Sequence, residues 1–183
     1  MKSKIIAISA ISAGLIGIAL TVGASIELAD MFALVIASVF VMLPLYYQSY
    51  KGSVLCFLAG GIIALLFSGF NILSLVFPSY FIFFGIYQII SILMREKKVK
   101  KPIYILIGLC WCIAFFIGAY FYYFYVMQVP IGQYPAWAEF IVNNLLLFII
   151  IFSVIFYFFY DRYIFVFKKV IDRYLSRIIK KDK

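Results

Sequence analysis

Arg95-Glu96-Lys97-Lys98-Val99-Lys100-Lys101-Pro102 lies near the middle of the chain and sets five basic residues in seven positions between long apolar stretches. Such a cluster cannot sit in hydrocarbon, because each Lys or Arg at mid-membrane costs roughly 2.5 to 3.5 kcal/mol on insertion-type scales. The segment is therefore a loop in water, and the positive-inside rule puts that water in the cytoplasm. Once this loop is placed, the side of every other loop follows by alternation.

The rest of the chain supports a membrane reading. Of its 183 residues 67% are hydrophobic and 13% charged, and the mean hydropathy of +1.14 excludes an ordinary soluble domain. Long apolar runs, rather than strict alternation, predict helices and not a barrel. The net charge of +9 is concentrated at membrane boundaries, where anionic inner-leaflet lipid is the natural partner and nucleic acid is not.

Six spans are predicted. The first runs from Ile5 to about Ser25 behind Lys2 and Lys4 and ends in Glu27 and Asp30; Val22-Gly23-Ala24 also resembles a signal-peptide cleavage site. The second runs from Met31 to about Tyr47, with Pro44 near its end, and the third from Val54 to about Phe67. The fourth follows the turn Ser68-Gly69-Phe70-Asn71 and continues to Met94, and Pro78 within it predicts a kink or break beside a cavity. The fifth spans Ile103 to about Tyr125. A connection from Val126 to Ala136 leads into the sixth, which starts near Trp137 and passes Tyr160, with Asp161-Arg162 as its exit.

All sixteen basic residues then fall on one side: Lys2, Lys4, Lys51, the five of the central loop and eight from Arg162 to Lys183. This predicts a bacterial cell-membrane protein with both termini cytoplasmic. The architecture is an all-α, six-helix transmembrane domain over residues 1–160, followed by a basic amphipathic helix over 161–183. In that tail Phe167, Val170, Ile171, Tyr174, Leu175, Ile178 and Ile179 recur at helical spacing, which suits the inner leaflet or a docking partner.

Chemistry is thin. The chain has no histidine and no phosphate-binding loop, so no metal, cofactor or enzymatic activity is expected, and any ATPase must be a separate subunit. Cys56, Cys110 and Cys112 read as small packing residues. In the first helix Ser9, Ala10, Ala13, Gly14 and Gly17 form pairs four apart that admit a close helix, either within the bundle or from another subunit.

Polar residues gather on the outer side, where Asn143 and Asn144 are expected to face the bundle interior or a wet cavity. Glu27, Asp30, Tyr80, Trp137, Glu139 and Asn143 are the expected lining of an outward pocket of at least about 300 Å³, with the acids favouring a cationic or donor-rich ligand. The aromatic runs Phe115 to Tyr125 and Phe152 to Tyr160 read as lipid-facing surface and interfacial belt.

Six short helices, both termini inside, small residues four apart in the first helix and a polar outer rim resemble the substrate-binding S component of energy-coupling-factor transporters. Ser9 and Gly14 depart from that pattern, which prefers Ala at both places. The stretch Pro78-x-Tyr80-x-x-Phe83-Phe84-Gly85-x-Tyr87 and the exit Phe159-Tyr160-Asp161 resemble a family of uncharacterised small membrane proteins of Gram-positive bacteria, itself similar to S components. The resemblance implies a small-molecule capture subunit that relies on separate coupling and ATPase subunits. The alternative is a non-transporting scaffold or assembly factor, similar to the small cell-shape protein of the elongation machinery.

Overall fold

The computed structural model describes residues 2–71, 74–126 and 144–181, and among these it contains helices and no strand. Six helices are long and apolar enough to cross a membrane. They are α1 (Lys2–Ser25), α2 (Asp30–Met42), α3 (Tyr50–Phe67), α4 (Val76–Glu96), α5 (Lys101–Phe121) and α6 (Leu145–Lys181).

The helix ends follow from local chemistry. Pro44 has no N–H to give to the Phe40 carbonyl, so α2 stops at Met42, Leu43 N–H takes that acceptor, and the chain tightens into a 3-10 turn over Leu43–Tyr47. Ser49 Oγ then caps α3 by accepting from Gly52 N–H at 3.2 Å. At the far end of α3, Gly69 takes φ +67° and lets Phe70 N–H reach the Leu65 carbonyl at 2.9 Å, closing the helix. The basic loop closes α4 the same way, with Lys98 at φ +53° where glycine is usual and Val99 N–H on the Met94 carbonyl at 3.0 Å. Pro102 then falls in the first turn of α5, where its missing donor costs nothing.

α4 is the hub. In its apolar window 67% of residues are buried, against 17% in α5 and in α6. Apolar and aromatic on every side, it fits only the centre of the bundle. Phe77, Tyr80, Phe83, Phe84 and Tyr87 are all enclosed, and Phe83 stacks on Tyr87 (5.3 Å between centroids) and on Phe115 of α5 (4.9 Å). Such pairs add about 0.5 to 1.5 kcal/mol each beyond the area they bury. Aromatic residues of α5 and α6 are thus divided: Phe115, Phe156, Tyr157 and Tyr160 pack into this core, while Phe121, Tyr125, Phe158 and Phe159 face outward as a lipid surface would.

Around the hub, α1 packs chiefly on α3 and α2, and α5 on α6. The α1–α3 seam is tight: a Cβ at Gly17 would lie 2.6 Å from Ile63 Cγ2, and one at Gly60 2.5 Å from Ile16 Cγ2. Each helix thus inserts an isoleucine over the other's glycine. Ile16 and Leu20 are fully buried, so cleavage of α1 would open the core.

Two expectations change. Pro78 does not break α4; it occupies the first turn, where N–H groups lack intrahelical acceptors anyway. The irregularity follows it, as a wide π-turn over Tyr80–Phe84 closed by Gly85 N–H on the Tyr80 carbonyl at 2.8 Å. Nor does the sixth helix end near Tyr160. α6 continues without interruption across residues 160 and 161, and its 37 residues span about 55 Å against a hydrocarbon thickness of about 30 Å. The amphipathic tail is its extension. Ile164 and Ile171 are buried, Tyr163 packs on Phe167 (4.3 Å), and the Tyr163 hydroxyl donates to the Val35 carbonyl of α2 at 3.4 Å. The apolar stripe down to Ile171 is therefore partly spent inside the bundle, whereas Val170 and Tyr174 remain exposed.

Candidate functional site

Of the six residues expected around an outward pocket, Trp137, Glu139 and Asn143 lie outside the described residues. Glu27 opens the short 3-10 turn Glu27–Ala29. Asp30 starts α2, half-buried, close to the end of α1 and the start of α4: a Cβ at Gly23 would lie 3.8 Å from both Asp30 Cα and Val76 Cγ1. The end of α1 and the starts of α2 and α4 meet there.

Tyr80 is not part of such a rim. Its side chain is 0% exposed, its ring packs on Phe57 (5.1 Å), and its hydroxyl donates to the Phe57 carbonyl at 3.1 Å. The outward-facing aromatic expected at this position is a core residue packed against α3. Asn144 is likewise exposed rather than internal, and its carbonyl accepts the N–H groups of Leu147 and Phe148 in the first turn of α6. The small residues of α1 divide by face: Ala13 and Gly17 are buried on α3, while Ala10 is exposed and a Cβ at Gly14 would meet nothing within 4 Å. Ser9 Oγ is buried and faces Gly52 of α3.

The structure does hold a cavity, elsewhere. A groove of about 700 Å³ runs between α4 and α5, away from the basic end. Its α4 wall is Pro78, Ser79 and Ile82. Its floor on α5 is the row Cys110, Ala114 and Gly118, four residues apart, closed below by Leu106 and above by Tyr122. From Leu106 to Tyr122 the groove follows α5 for about 24 Å, most of a hydrocarbon thickness. Cys110, Ala114 and Gly118 are all exposed, and a Cβ at Gly118 would meet nothing within 4 Å, so the row is an empty slot on the outer surface of the bundle. Trp111 marks its edge. Its indole N–H donates to the Ile82 carbonyl at 3.1 Å, satisfying an acceptor within the π-turn. In the same turn the Phe84 carbonyl accepts from the Tyr160 hydroxyl at 3.3 Å, and Gln88 Nε2 donates to that hydroxyl at 2.9 Å. Side chains of α5 and α6 thus complete what the wide turn leaves open. This lining can hold apolar molecules by shape; it has no charge with which to select a cation.

The basic end is built differently. Arg95, at the end of α4, donates from Nη2 to both carboxylate oxygens of Asp161 (2.7 and 2.6 Å) and to the Tyr104 hydroxyl (2.8 Å), which also bonds Ser91 Oγ at 3.0 Å. Next to it Glu96 accepts from Lys168 Nζ at 2.7 Å and from the Tyr50 hydroxyl. Asp161 is therefore the counter-ion that ties α6 to α4. A second cavity of about 550 Å³ opens beside this pair, between α4, α5 and α6.

None of these groupings was named in advance from the sequence. Cys110-x-x-x-Ala114-x-x-x-Gly118 carries the same four-residue spacing that singled out α1, and was the signal available for the groove. No protein family, curated protein or solved structure matches the chain, so its site stands on its own geometry.

Proposed function

We propose that this is a membrane-embedded capture subunit that binds a small, largely apolar molecule in the α4–α5 groove and depends on separate energising subunits. The observation that carries it is the unfilled 700 Å³ slot over Cys110, Ala114 and Gly118. Protein surfaces leave such an elongated, aromatic-edged concavity where something binds, and burying a hydrocarbon chain contributes about 0.8 kcal/mol per methylene. Because the slot opens on the lipid-facing surface, the ligand enters from the bilayer. In this reading the basic loop and both termini are cytoplasmic, the groove lies toward the outer leaflet, and the chain performs no chemistry of its own. A cysteine at position 98 should resist external labelling in intact cells, while one at position 132 should be labelled; the reverse pattern inverts the orientation.

The capture reading is tested with protein purified from its native membrane. Mass spectrometry should find a non-phospholipid apolar molecule retained at near one copy per chain. Gly118→Leu and Ala114→Phe, which fill the slot from exposed positions, should remove it at least about tenfold while the protein melts as before. Retention of that molecule by both variants, or recovery of the protein only within a large complex with nothing bound, overturns capture and favours a scaffold.

A further inference from the structure

We infer that the second cavity, at the basic end, is a binding site for the phosphate of an anionic phospholipid headgroup. It is separate from the groove, lying at the opposite end of α5, and its test does not depend on capture.

The cavity takes cations from three helices. Arg95 forms one side and is already matched by Asp161, so that pair is close to neutral. Lys101 and Arg162 are not matched. Lys101 has no ion pair or hydrogen bond among the described residues, and Arg162 meets only the ring of Phe165, at 6.0 Å. Two uncompensated positive charges therefore line a cavity of about 550 Å³. The start of α5 adds to them: Lys100 precedes the helix without a side-chain cap, and although Pro102 offers no N–H, the positive end of the helix dipole faces this end. An anion with several acceptor oxygens satisfies all of these at once.

Deeper residues say which anion. Tyr157 lies one helical turn before Asp161 on α6 and lines the same cavity. Its hydroxyl and that of Tyr87 converge over Gly108, where a Cβ would sit 2.6 Å from the Tyr87 oxygen; Tyr87 points its hydrogen at Tyr157, and the Tyr157 hydrogen itself has no acceptor among the described residues. Tyr157 is 1% exposed, so an unpaired donor there is costly, by about 1 to 3 kcal/mol. An ester carbonyl just below a phosphate would accept it. Beyond, the wall turns apolar through Ile105 and Phe158, and Phe158 is 53% exposed on the face where an acyl chain would continue. Charged mouth, single polar group and apolar exit follow the order of a glycerophospholipid. A free phosphate would use only the mouth.

The test uses the full-length protein in detergent, analysed by native mass spectrometry with phosphatidylglycerol or phosphatidylcholine added. Wild type should retain one phosphatidylglycerol in preference to phosphatidylcholine. Lys101→Gln with Arg162→Gln should lower that retention about thirty-fold, the effect of two interfacial charges. Lys97→Gln with Lys98→Gln removes the same charge outside the cavity and should change it less than about twofold. Equal loss in both double variants, or no loss in either, overturns the site. Inorganic phosphate, followed by its 31P line width in wild-type protein embedded in neutral lipid, should not bind. Binding of phosphate without preference for phosphatidylglycerol assigns the cavity to a soluble phosphate and overturns the lipid assignment.

Discussion

The first and fifth helices each carry a row of small residues four apart, and the bundle treats the two rows in opposite ways. On α1, Ala13 and Gly17 are covered by α3: Ile63 stands over Gly17, and Ile16 answers over Gly60. On α5, no described residue covers Cys110, Ala114 and Gly118, and the gap above them is the 700 Å³ groove. The difference lies in what the neighbouring helix brings. α3 has its own glycine at Gly60 on this face, so two backbones approach until side chains interlock, while Gly61 faces Phe81 of α4. α4 instead holds α5 off with Phe83, Tyr87 and the Trp111 contact. The α1 row is thus a sealed seam because its partner is also small, and the α5 row lies beside an open groove because aromatic contacts keep α4 at a distance.

The largest effect is expected where the sealed row is broken. Gly60→Leu places a side chain against Ile16 and within 3.1 Å of the Ala13 carbonyl before any relaxation, so overpacking should cost about 3 kcal/mol or prevent assembly. Unfolding in mixed detergent micelles measures it. A loss under about 1 kcal/mol would mean that the α1–α3 seam yields as readily as the open one, and the contrast would fail.

Next in size is the tie that keeps α6 beside α4 while the groove stands open on α5. Asp161→Ala leaves Arg95 with the Tyr104 hydroxyl and the rings of Tyr104 and Phe165. Arg95 and Asp161 keep 30% and 20% of their side-chain surface exposed, so the loss should fall below that of a fully buried pair, at about 2 kcal/mol. Adding Arg95→Met should recover most of it, because the stranded charge is then gone. If the double variant is no better than the single one in the same unfolding assay, the carboxylate acts through packing.

How much of this could be read beforehand follows from sequence distance. Helix positions depended on apolar runs and on charge, both local, so the first five spans and the central loop emerged with ends shifted by a few residues, whereas the sixth helix runs well past Tyr160 and its expected start near Trp137 lies outside the described residues. Asp161 and Arg95 were each visible, yet each as the boundary of its own helix; they are 66 residues apart, and nothing local says that one carboxylate answers one guanidinium. Tyr80 was misplaced for a related reason. Its neighbour Pro78 suggested an opening, whereas its partner Phe57, on α3, holds Tyr80 in the core. The α5 row had the right spacing but no local sign that it would be left bare. Half of the proposed outer rim, Trp137, Glu139 and Asn143, lies outside the described residues.

A middling effect belongs to the edge of the open slot. Trp111→Phe keeps an aromatic ring beside Tyr87 but removes the donor to the Ile82 carbonyl. That acceptor lies in the π-turn on the exposed side of the bundle, and within a bilayer no water would replace the lost bond. The cost should be about 1 kcal/mol, in the range of interhelical hydrogen bonds in membranes. A change below about 0.3 kcal/mol would show that the carbonyl finds a second partner, and that ring packing alone sets the α4–α5 spacing.

The smallest effect has the opposite sign, and it separates the two rows most directly. Gly118 is helical, and a Cβ there meets nothing within 4 Å, so Gly118→Ala adds a methyl at no steric cost. The substitution removes the extra backbone freedom that glycine has in the unfolded chain, which is worth about 0.5 to 1 kcal/mol in a helix interior. Gly118→Ala should therefore stabilise by about half a kcal/mol, and Gly14→Ala, equally open on α1, should do the same. Gly60→Ala, with its Cβ 2.5 Å from Ile16 Cγ2, should destabilise despite the identical change in chain entropy. Three alanine variants compared in one assay thus turn the packing difference into a difference of sign. A destabilising Gly118→Ala would mean that the slot is filled in the folded protein by something a single methyl displaces.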